Sequence, residues 1–361
     1  MKTKLVTVPN LKQLIQPCPG FAKKGLADYK LDAAALCEFG CVYCSSNSGY
    51  YLRRNREPFA KLTEAQTGER TYPADDPALM LVWTDVEKQL EAELASKPKA
   101  YGAGKTLVFS MLTDGFSPTL VGKGVTERVL AMLVEGTGFR IRVLTKNAVV
   151  GTAKWVRFFR AHRDRFVVGL SIGSLGNAWM AGIERRTSSP PARLEALRNL
   201  QRASIPTYGM LCPVFPATVG VELAELVDLI RPDLVEHVWA EPYNDRVNWQ
   251  RVRDAFPQGS HEGERFEAMF DGSEPAAWSF YCAELYRQLR DRLGKNWIHK
   301  LRFLLYEDRV LPQHAASFNG FEGIILQGKP DDAGASKNPC IAALQRRPEP
   351  VEDEAEPPTY H

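Results

Sequence analysis

Apolar and polar positions alternate in blocks along most of the chain after residue 100. Short apolar runs rich in β-branched and aromatic residues predict buried strands, and they span 106–111, 140–145, 166–172, 206–216 and 234–242. The stretches between them are amphipathic and predict helices, at 122–136, 152–162, 188–203 and 221–231. In the first of these helices Val125, Val129 and Leu133 recur every four residues and share one helical face. Strands that alternate with helices predict a parallel sheet covered by helices.

Two upstream segments extend this pattern. The segment 28–34, "DYKLDAA", is a candidate first strand. From Thr84, the spacing of Thr84 and Glu87 predicts a capping box at the start of a helix with an apolar stripe at Val86, Leu90 and Leu94. The serines and prolines at the start of 188–203 predict an N-cap serine there.

Six strand–helix units predict an α/β fold, a partial (β/α)6 barrel that resembles three quarters of a TIM barrel. We place this core at 28–245, between a basic N-terminal extension at 1–27 and a helical and mixed elaboration at 246–345, followed by an acidic tail at 346–361. The length of 361 residues also fits two smaller domains. In such folds chemistry collects at the carboxyl ends of the strands, where Ser110, Thr145, Ser171 and Cys212 are expected.

Composition restricts the class of protein. Apolar residues make up 44% of the chain, which is enough for a substantial core. No apolar run approaches the length of a membrane span, and the N-terminus has no apolar signal region, so neither a membrane segment nor secretion is expected. The seven cysteines are an odd number without a disulfide pattern, which favours the reducing cytoplasm.

Charge is unevenly distributed although the net value is only +3. Residues 1–30 carry six lysines against one aspartate, and 53–61 form a second basic run beside Tyr50, Tyr51 and Phe59. The Pro-rich acidic segment after residue 346 is predicted to be disordered. The basic segments either keep the surface soluble or guide a polyanion towards a site.

The most informative motif is the thiol loop, which we define as residues 35–46, "ALCEFGCVYCSS". It spaces Cys37, Cys41 and Cys44 as C-x3-C-x2-C, with Gly40 available for a tight backbone. Thiolates are soft ligands that hold iron–sulfur clusters. Three of them would leave one iron of a [4Fe-4S] cluster open to a small chelating molecule. A zinc site completed by Cys18 or a distant histidine, and a redox pair of Cys41 and Cys44, are the alternatives.

With an aromatic residue before its third cysteine, and after a first strand, this motif resembles that of the radical S-adenosylmethionine (SAM) superfamily. Later segments resemble the spore photoproduct lyase-related branch, in order from about residue 30 to 245. They are "FSMLTDGFSP" at 109–118, "VLTKN" at 143–147, "GLSIGS" at 169–174, "IERRTSSPPARLEAL" at 183–197 and "CPVFP" at 212–216. The resemblance implies a [4Fe-4S] cluster that cleaves SAM to a 5′-deoxyadenosyl radical, which then abstracts hydrogen from a substrate.

The same resemblance implies roles for single residues. Cys37, Cys41 and Cys44 would bind the cluster, and Tyr43 would pack near the adenine. Ser110, Thr113 and Asp114 would hold the methionine amino group, Lys146 and Ser171 would lie near the carboxylate and ribose, and Glu184 would be a polar contact in the same cavity. Capping or packing roles account for these strand-end residues equally well when each is taken alone.

Two departures from the branch change what is expected. Glu184 is followed by Arg185 where the branch has proline. No cysteine lies between Cys44 and Cys212, so the hydrogen-donating cysteine of spore photoproduct lyases has no counterpart there. Cys212 or a tyrosine is the substitute candidate, and Cys212 could equally be a buried packing residue.

The sequence therefore predicts a radical SAM enzyme that acts on a nucleic acid or nucleotide and takes electrons from an external flavodoxin- or ferredoxin-like donor. The alternatives are the same chemistry on a peptide or small metabolite, and a non-catalytic metal-binding partner protein.

Overall fold

The computed structural model describes residues 3–346 with the exception of 49, 74, 77, 99, 177, 246, 332 and 333. Of the predicted tail at 346–361, residues 347–361 lie outside the described residues, as do Met1 and Lys2 of the basic extension. The side chains of 47–54, which include most of the aromatic residues near the second basic run, lie outside them too.

The strands of the described chain are, in order, β1 Lys4–Val8, β2 Gln16–Pro17, β3 Tyr29–Leu31, β4 Leu79–Trp83, β5 Thr106–Phe109, β6 Arg140–Thr145, β7 Phe166–Ser171, β8 Thr207–Val214, β9 Val235–Pro242, β10 Leu301–Leu305 and β11 Ile324–Leu326.

The helices are α1 Pro19–Ala22, α2 Ser45–Ser48, α3 Tyr50–Thr67, α4 Val86–Ala95, α5 Pro118–Gly122, α6 Val125–Gly136, α7 Ala153–Ala161, α8 Ala178–Ile183, α9 Pro190–Arg202, α10 Val221–Leu229, α11 Trp249–Arg253, α12 His261–Asp271, α13 Pro275–Trp297, α14 Pro312–Ala315 and α15 Pro339–Gln345. None of the described helices is both long and apolar enough to span a lipid bilayer.

One large sheet organises the molecule. Its strand order is β11-β10-β9-β8-β7-β6-β5-β3-β2, and every neighbouring pair is parallel except β2 with β3. The order has two ends, so the sheet is open. A separate parallel pair, β1 and β4, forms a small second sheet. The predicted α/β fold with an open parallel sheet is confirmed, and β10 and β11 add two parallel strands to the six that were expected.

Side-chain alternation along the strands divides the sheet into two faces. On β9, Val238 and Ala240 belong to the main apolar core, which includes buried side chains of α6, α7, α9, α10 and α13. Trp239 points to the opposite face and joins Tyr208 and Met210 in a separate cluster. One face is therefore sealed by helices, and the other is free to line cavities.

The predicted capping box at Thr84 is wrong. The N-cap of α4 is Asp85, which makes no side-chain capping bond. Thr84 donates its hydroxyl to Val8 O instead (3.0 Å), and Glu87 pairs with Arg128 (2.7 Å). These tertiary partners are not visible in a local pattern. At α9 the N-cap is a serine as predicted, Ser189, but its side chain makes no capping hydrogen bond.

Candidate functional site

The thiol loop follows β3 at the carboxyl end of the parallel sheet. Cys37 and Cys41 are buried, and Cys44 is half-buried. Gly40 has φ +60°, a conformation that favours glycine. Cys44 N donates to Cys41 O (3.1 Å), which closes a turn between the two thiols, and Leu36 pairs with Leu81 of β4. The loop is thus anchored on both sides.

All three thiols line one cavity of about 110 Å³. The facing wall comes from the residues that follow β5, β6 and β7. The cavity brings together most of the predicted site residues, namely Cys37, Cys41, Tyr43, Cys44, Ser110, Thr113, Asp114, Lys146 and Ser171. Glu184 and Cys212 are not among its lining residues.

Burial controls the protonation of the thiols. Burial, with a smaller effect of Cys44, raises the pKa of the Cys37 thiol to about 12. Burial and then the nearby Glu184 carboxylate raise the pKa of Cys41 well above its usual value. Binding of a metal cluster to these thiols would therefore release protons. Within the described residues, no group of three or more His, Cys, Asp and Glu side chains is arranged to hold a single metal ion.

Asp114 ties two strand ends together. Its buried carboxylate accepts hydrogen bonds from Phe116 N (2.9 Å), Lys146 N (2.7 Å) and Thr145 Oγ1 (2.8 Å). Burial raises the pKa of Asp114, although these hydrogen bonds oppose the shift. Both of its oxygens are engaged within the protein, so it holds the wall of the cavity in place.

Asp32 plays a similar part for the segment after β5, and the sequence gave no role to it. Its carboxylate accepts hydrogen bonds from Leu112 N (2.8 Å), Thr113 N (3.1 Å) and Thr113 Oγ1 (3.3 Å). Ser110 adopts φ 58°, an uncommon conformation for a residue other than glycine. Its hydroxyl accepts a hydrogen bond from Ala33 N (3.3 Å). The position of Asp32 directly after a strand was the available signal.

Lys146 and Ser171 form a short polar chain. Lys146 Nζ donates to Ser171 Oγ (2.8 Å), which in turn donates to Cys212 O (2.7 Å). The same ammonium lies 5.6 Å from the centre of the Tyr43 ring. A fixed positive charge is therefore present on the cavity wall opposite the thiol loop.

Glu184 lies behind Tyr43. It accepts a hydrogen bond from Tyr43 Oη (2.5 Å) and forms an ion pair with Arg193. Both partners of the pair are buried. Burial alone would raise the pKa of Glu184, but Arg193, Lys146 and Tyr43 together lower it. Arg193 also donates to Ser171 O and to Ser188 O (2.9 Å). Arg193 was part of the quoted motif but had no assigned role.

A second cavity, of about 240 Å³, adjoins the first. The two share Tyr43, Cys44, Met111, Leu144, Lys146 and Ser171. The remaining wall of the second cavity includes Lys24, Met210, Cys212, Trp239, Glu241 and Asn244. Cys212 therefore faces this cavity and not the one that contains all three thiols.

Cys212 belongs to a polar group on β8, β9 and the end of β10. Its thiol donates to Glu241 Oε2 (2.9 Å), and Tyr306 donates to the other oxygen of Glu241. Burial and then the Glu241 carboxylate raise the pKa of Cys212 well above its usual value, so its thiol keeps its proton. Glu241 and Tyr306 were not predicted, because no local motif contains them.

Comparison with known proteins gives distant likenesses. No family model matches the chain. The uncharacterized protein ORF301 of Acidianus two-tailed virus is 23% identical over 182 residues, which cover 46% of this chain and 58% of that protein. The match thus leaves more than a third of the viral protein uncovered.

Solved structures that are similar include a spore photoproduct lyase variant with bound AdoMet and dinucleoside spore photoproduct, with 16% identity, coverage of 70% of this chain and 66% of that chain, and a TM-score of 0.42. The sulfatase-type protein anSMEcpe with bound AdoMet has 13% identity, coverage of 71% and 56%, and a TM-score of 0.39. Spore photoproduct lyases are the branch that the sequence motifs resemble.

Proposed function

We propose that this protein is a radical SAM enzyme. The observation that carries the proposal is that all three thiols of one loop line a single cavity whose opposite wall holds the polar strand-end residues and Lys146. The motif resemblance adds the identity of the two groups that would meet in that cavity, a [4Fe-4S] cluster and SAM.

The donor set fits such a cluster. The ligands are three thiols and no other side chain of the loop competes with them. Each thiolate of a cluster binds a different iron, so the three need not converge on one point. When bound and reduced, the cluster supplies the electron that cleaves SAM to methionine and a 5′-deoxyadenosyl radical.

The protein's own residues would bind and orient SAM. Lys146, held by Ser171, offers a positive charge to the SAM carboxylate. Ser110 and Thr113 offer hydroxyl oxygens to the methionine amino group, and Asp114 keeps their segment in place. The ring of Tyr43, fixed through Glu184, offers an apolar surface to the adenine. Burial of these groups keeps water from the reactive centre.

The second cavity is our candidate substrate site, since it shares a wall with the first. Cys212 is the candidate hydrogen donor there: a substrate-derived radical would take the thiol hydrogen and leave a thiyl radical. One electron and one proton, supplied through an external flavodoxin- or ferredoxin-like donor, would restore the thiol. Lys24 on the cavity wall supports a phosphate-bearing substrate, a nucleotide or nucleic acid.

The test is anaerobic reconstitution with iron and sulfide. The wild-type protein should hold about four irons per chain and convert SAM to 5′-deoxyadenosine when reduced. The triple variant C37S/C41S/C44S should do neither. C340S is the matched control, because Cys340 lies on α15 away from both cavities. Cleavage of SAM by the triple variant, or a protein that takes up zinc alone, would contradict the proposal.

The substrate class has a separate test. A nucleic-acid substrate predicts binding of labelled DNA that weakens steeply as salt increases, and weaker binding by K24A. Binding that is indifferent to salt would favour the alternative, a peptide or small metabolite. A cytoplasmic location stays a prediction from the cysteine content.

A further inference from the structure

Glu38 is a buried carboxylate inside the thiol loop. It lies between Cys37 and Phe39, and only 1% of its surface is exposed. It is not among the residues that line either cavity. Carboxylates are almost never buried this fully unless they are paired, because removal from water is costly. Its partners therefore show what it does.

Four donors from three other segments surround the Glu38 carboxylate. Oε1 accepts a hydrogen bond from Thr119 N (2.7 Å), and Oε2 accepts from Thr119 Oγ1 (3.0 Å) and Thr3 Oγ1 (2.6 Å). Arg186 Nη2 lies 3.5 Å from Oε2 and also donates to Thr3 Oγ1 (3.1 Å). One carboxylate thus joins the thiol loop to the N-terminal segment, to the first turn of α5 and to the segment after α8.

The segment after α8 holds the thiol loop at two further points. Val42 N donates to Ile183 O (3.0 Å), and Tyr43 Oη donates to Glu184 (2.5 Å). Together with the contact between Glu38 and Arg186, these bonds fix the loop at positions 38, 42 and 43. None of them uses a thiol, so all three thiols remain available to ligands.

We propose that Glu38 is a positioning residue that holds the thiol loop in its cluster-binding arrangement. The inference rests on the proposed function. Ordering a free loop costs roughly 1 kcal/mol or more per residue, and a loop already fixed by Glu38 meets that cost during folding. Loss of the clamp should therefore weaken the hold on the cluster without removing any ligand.

The carboxylate also places a negative charge next to a ligand. Arg186 offsets this charge only in part, because its guanidinium lies at the longer distance of 3.5 Å. A nearby negative charge disfavours the addition of an electron. Removal of the charge should therefore make the cluster easier to reduce and move its midpoint potential to a more positive value.

The test is the E38Q variant, which keeps the shape of the side chain but loses the charge and half of its acceptor capacity. Loss of visible absorbance on addition of EDTA to the reconstituted protein should be about tenfold faster or more than in wild type, as for other residues that orient metal ligands. Spectroelectrochemical titration should give a more positive midpoint potential. Circular dichroism of the cluster-free protein reports whether the fold is retained.

E57Q is the matched control, since Glu57 is an exposed carboxylate on α3 that pairs with Arg70. It should behave as wild type in both measurements. T119A removes one donor and leaves Glu38 in place, so it should release the cluster at an intermediate rate and carries the test if E38Q does not fold.

Wild-type release rates and potential in a folded E38Q, or a wild-type release rate in T119A, would overturn the role of Glu38 while leaving the proposed function intact. A wild-type protein that binds no cluster would remove both.

Discussion

At the scale of single residues, buried charge shapes the candidate site. Arg193 and Glu184 are both almost fully buried and form an ion pair behind Tyr43. The guanidinium also holds two backbone carbonyl oxygens, of Ser171 and Ser188. It thereby links the end of β7 to the segment that contacts the thiol loop.

Substitution of Arg193 should be strongly destabilising. R193M leaves the Glu184 carboxylate buried without its main partner, and we expect the free energy of unfolding in urea to fall by about 3–5 kcal/mol. The double variant E184Q/R193M should recover part of this loss, because the uncompensated charge is gone. R70M, which breaks an exposed ion pair, should have little effect. A midpoint for R193M equal to that of wild type would contradict this account of the pair.

His237 should make stability depend on pH. Burial, with the charges of Arg302 and Arg142, lowers the pKa of His237 to about 4 in the folded protein. The unfolded chain takes up this proton at about 6.5, so the unfolded state binds more protons between these values. The free energy of unfolding should therefore decrease as the pH falls from about 6.5 to 4. The profile of H237Q should be flatter over this window, and an identical profile would contradict the prediction.

The residues that the sequence predicted are those whose signal is local. Cys37, Cys41 and Cys44 lie within one loop, and Ser110, Thr113, Asp114, Lys146 and Ser171 directly follow predicted strands, where parallel topology brings them to one edge. Glu38, Asp32, Glu241 and Arg193 act through partners far away in the chain. No local pattern distinguishes such carboxylates from solvent-exposed ones.

At the scale of elements, the approach of β7 to β8 sets the geometry between the two cavities. Ser171 Oγ reaches Cys212 O (2.7 Å) just before the strands separate. Two residues further on, a Cβ atom at Gly173 would lie 2.0 Å from Pro213 O. Only glycine allows the two backbones to come this close.

The variant G173A should force these strand ends apart. We expect a loss of about 1–3 kcal/mol in the free energy of unfolding, as for other overpacked positions, together with a lower yield of 5′-deoxyadenosine. G20A is the control, because a Cβ atom there would meet nothing within 4 Å. It should change stability by less than about 0.5 kcal/mol. Equal stability of the two variants would show that the contact is not limiting.

Elements with clear periodicity were predicted closely. The strand predicted at 140–145 is β6, and the helix predicted at 152–162 is α7 to within one residue at each end. The helix α3, by contrast, was treated only as part of a basic run. It is mostly polar and contains Pro58, so its apolar pattern is weak.

At the scale of the whole molecule, the open sheet places both cavities at one edge. The carboxyl ends of β5 to β8 contribute the wall that faces the thiol loop. The alternation of strands and helices predicted this arrangement. It did not predict β1 and β4, whose pairing joins segments more than seventy residues apart, nor how β10 and β11 extend the sheet.

The most direct test of the central claim is electron paramagnetic resonance of the reduced, anaerobically reconstituted protein before and after addition of SAM. The account predicts a [4Fe-4S] signal that changes when SAM is added, because the iron without a protein ligand binds it. A signal that SAM leaves unchanged, or a colourless protein that contains only zinc, would contradict the account.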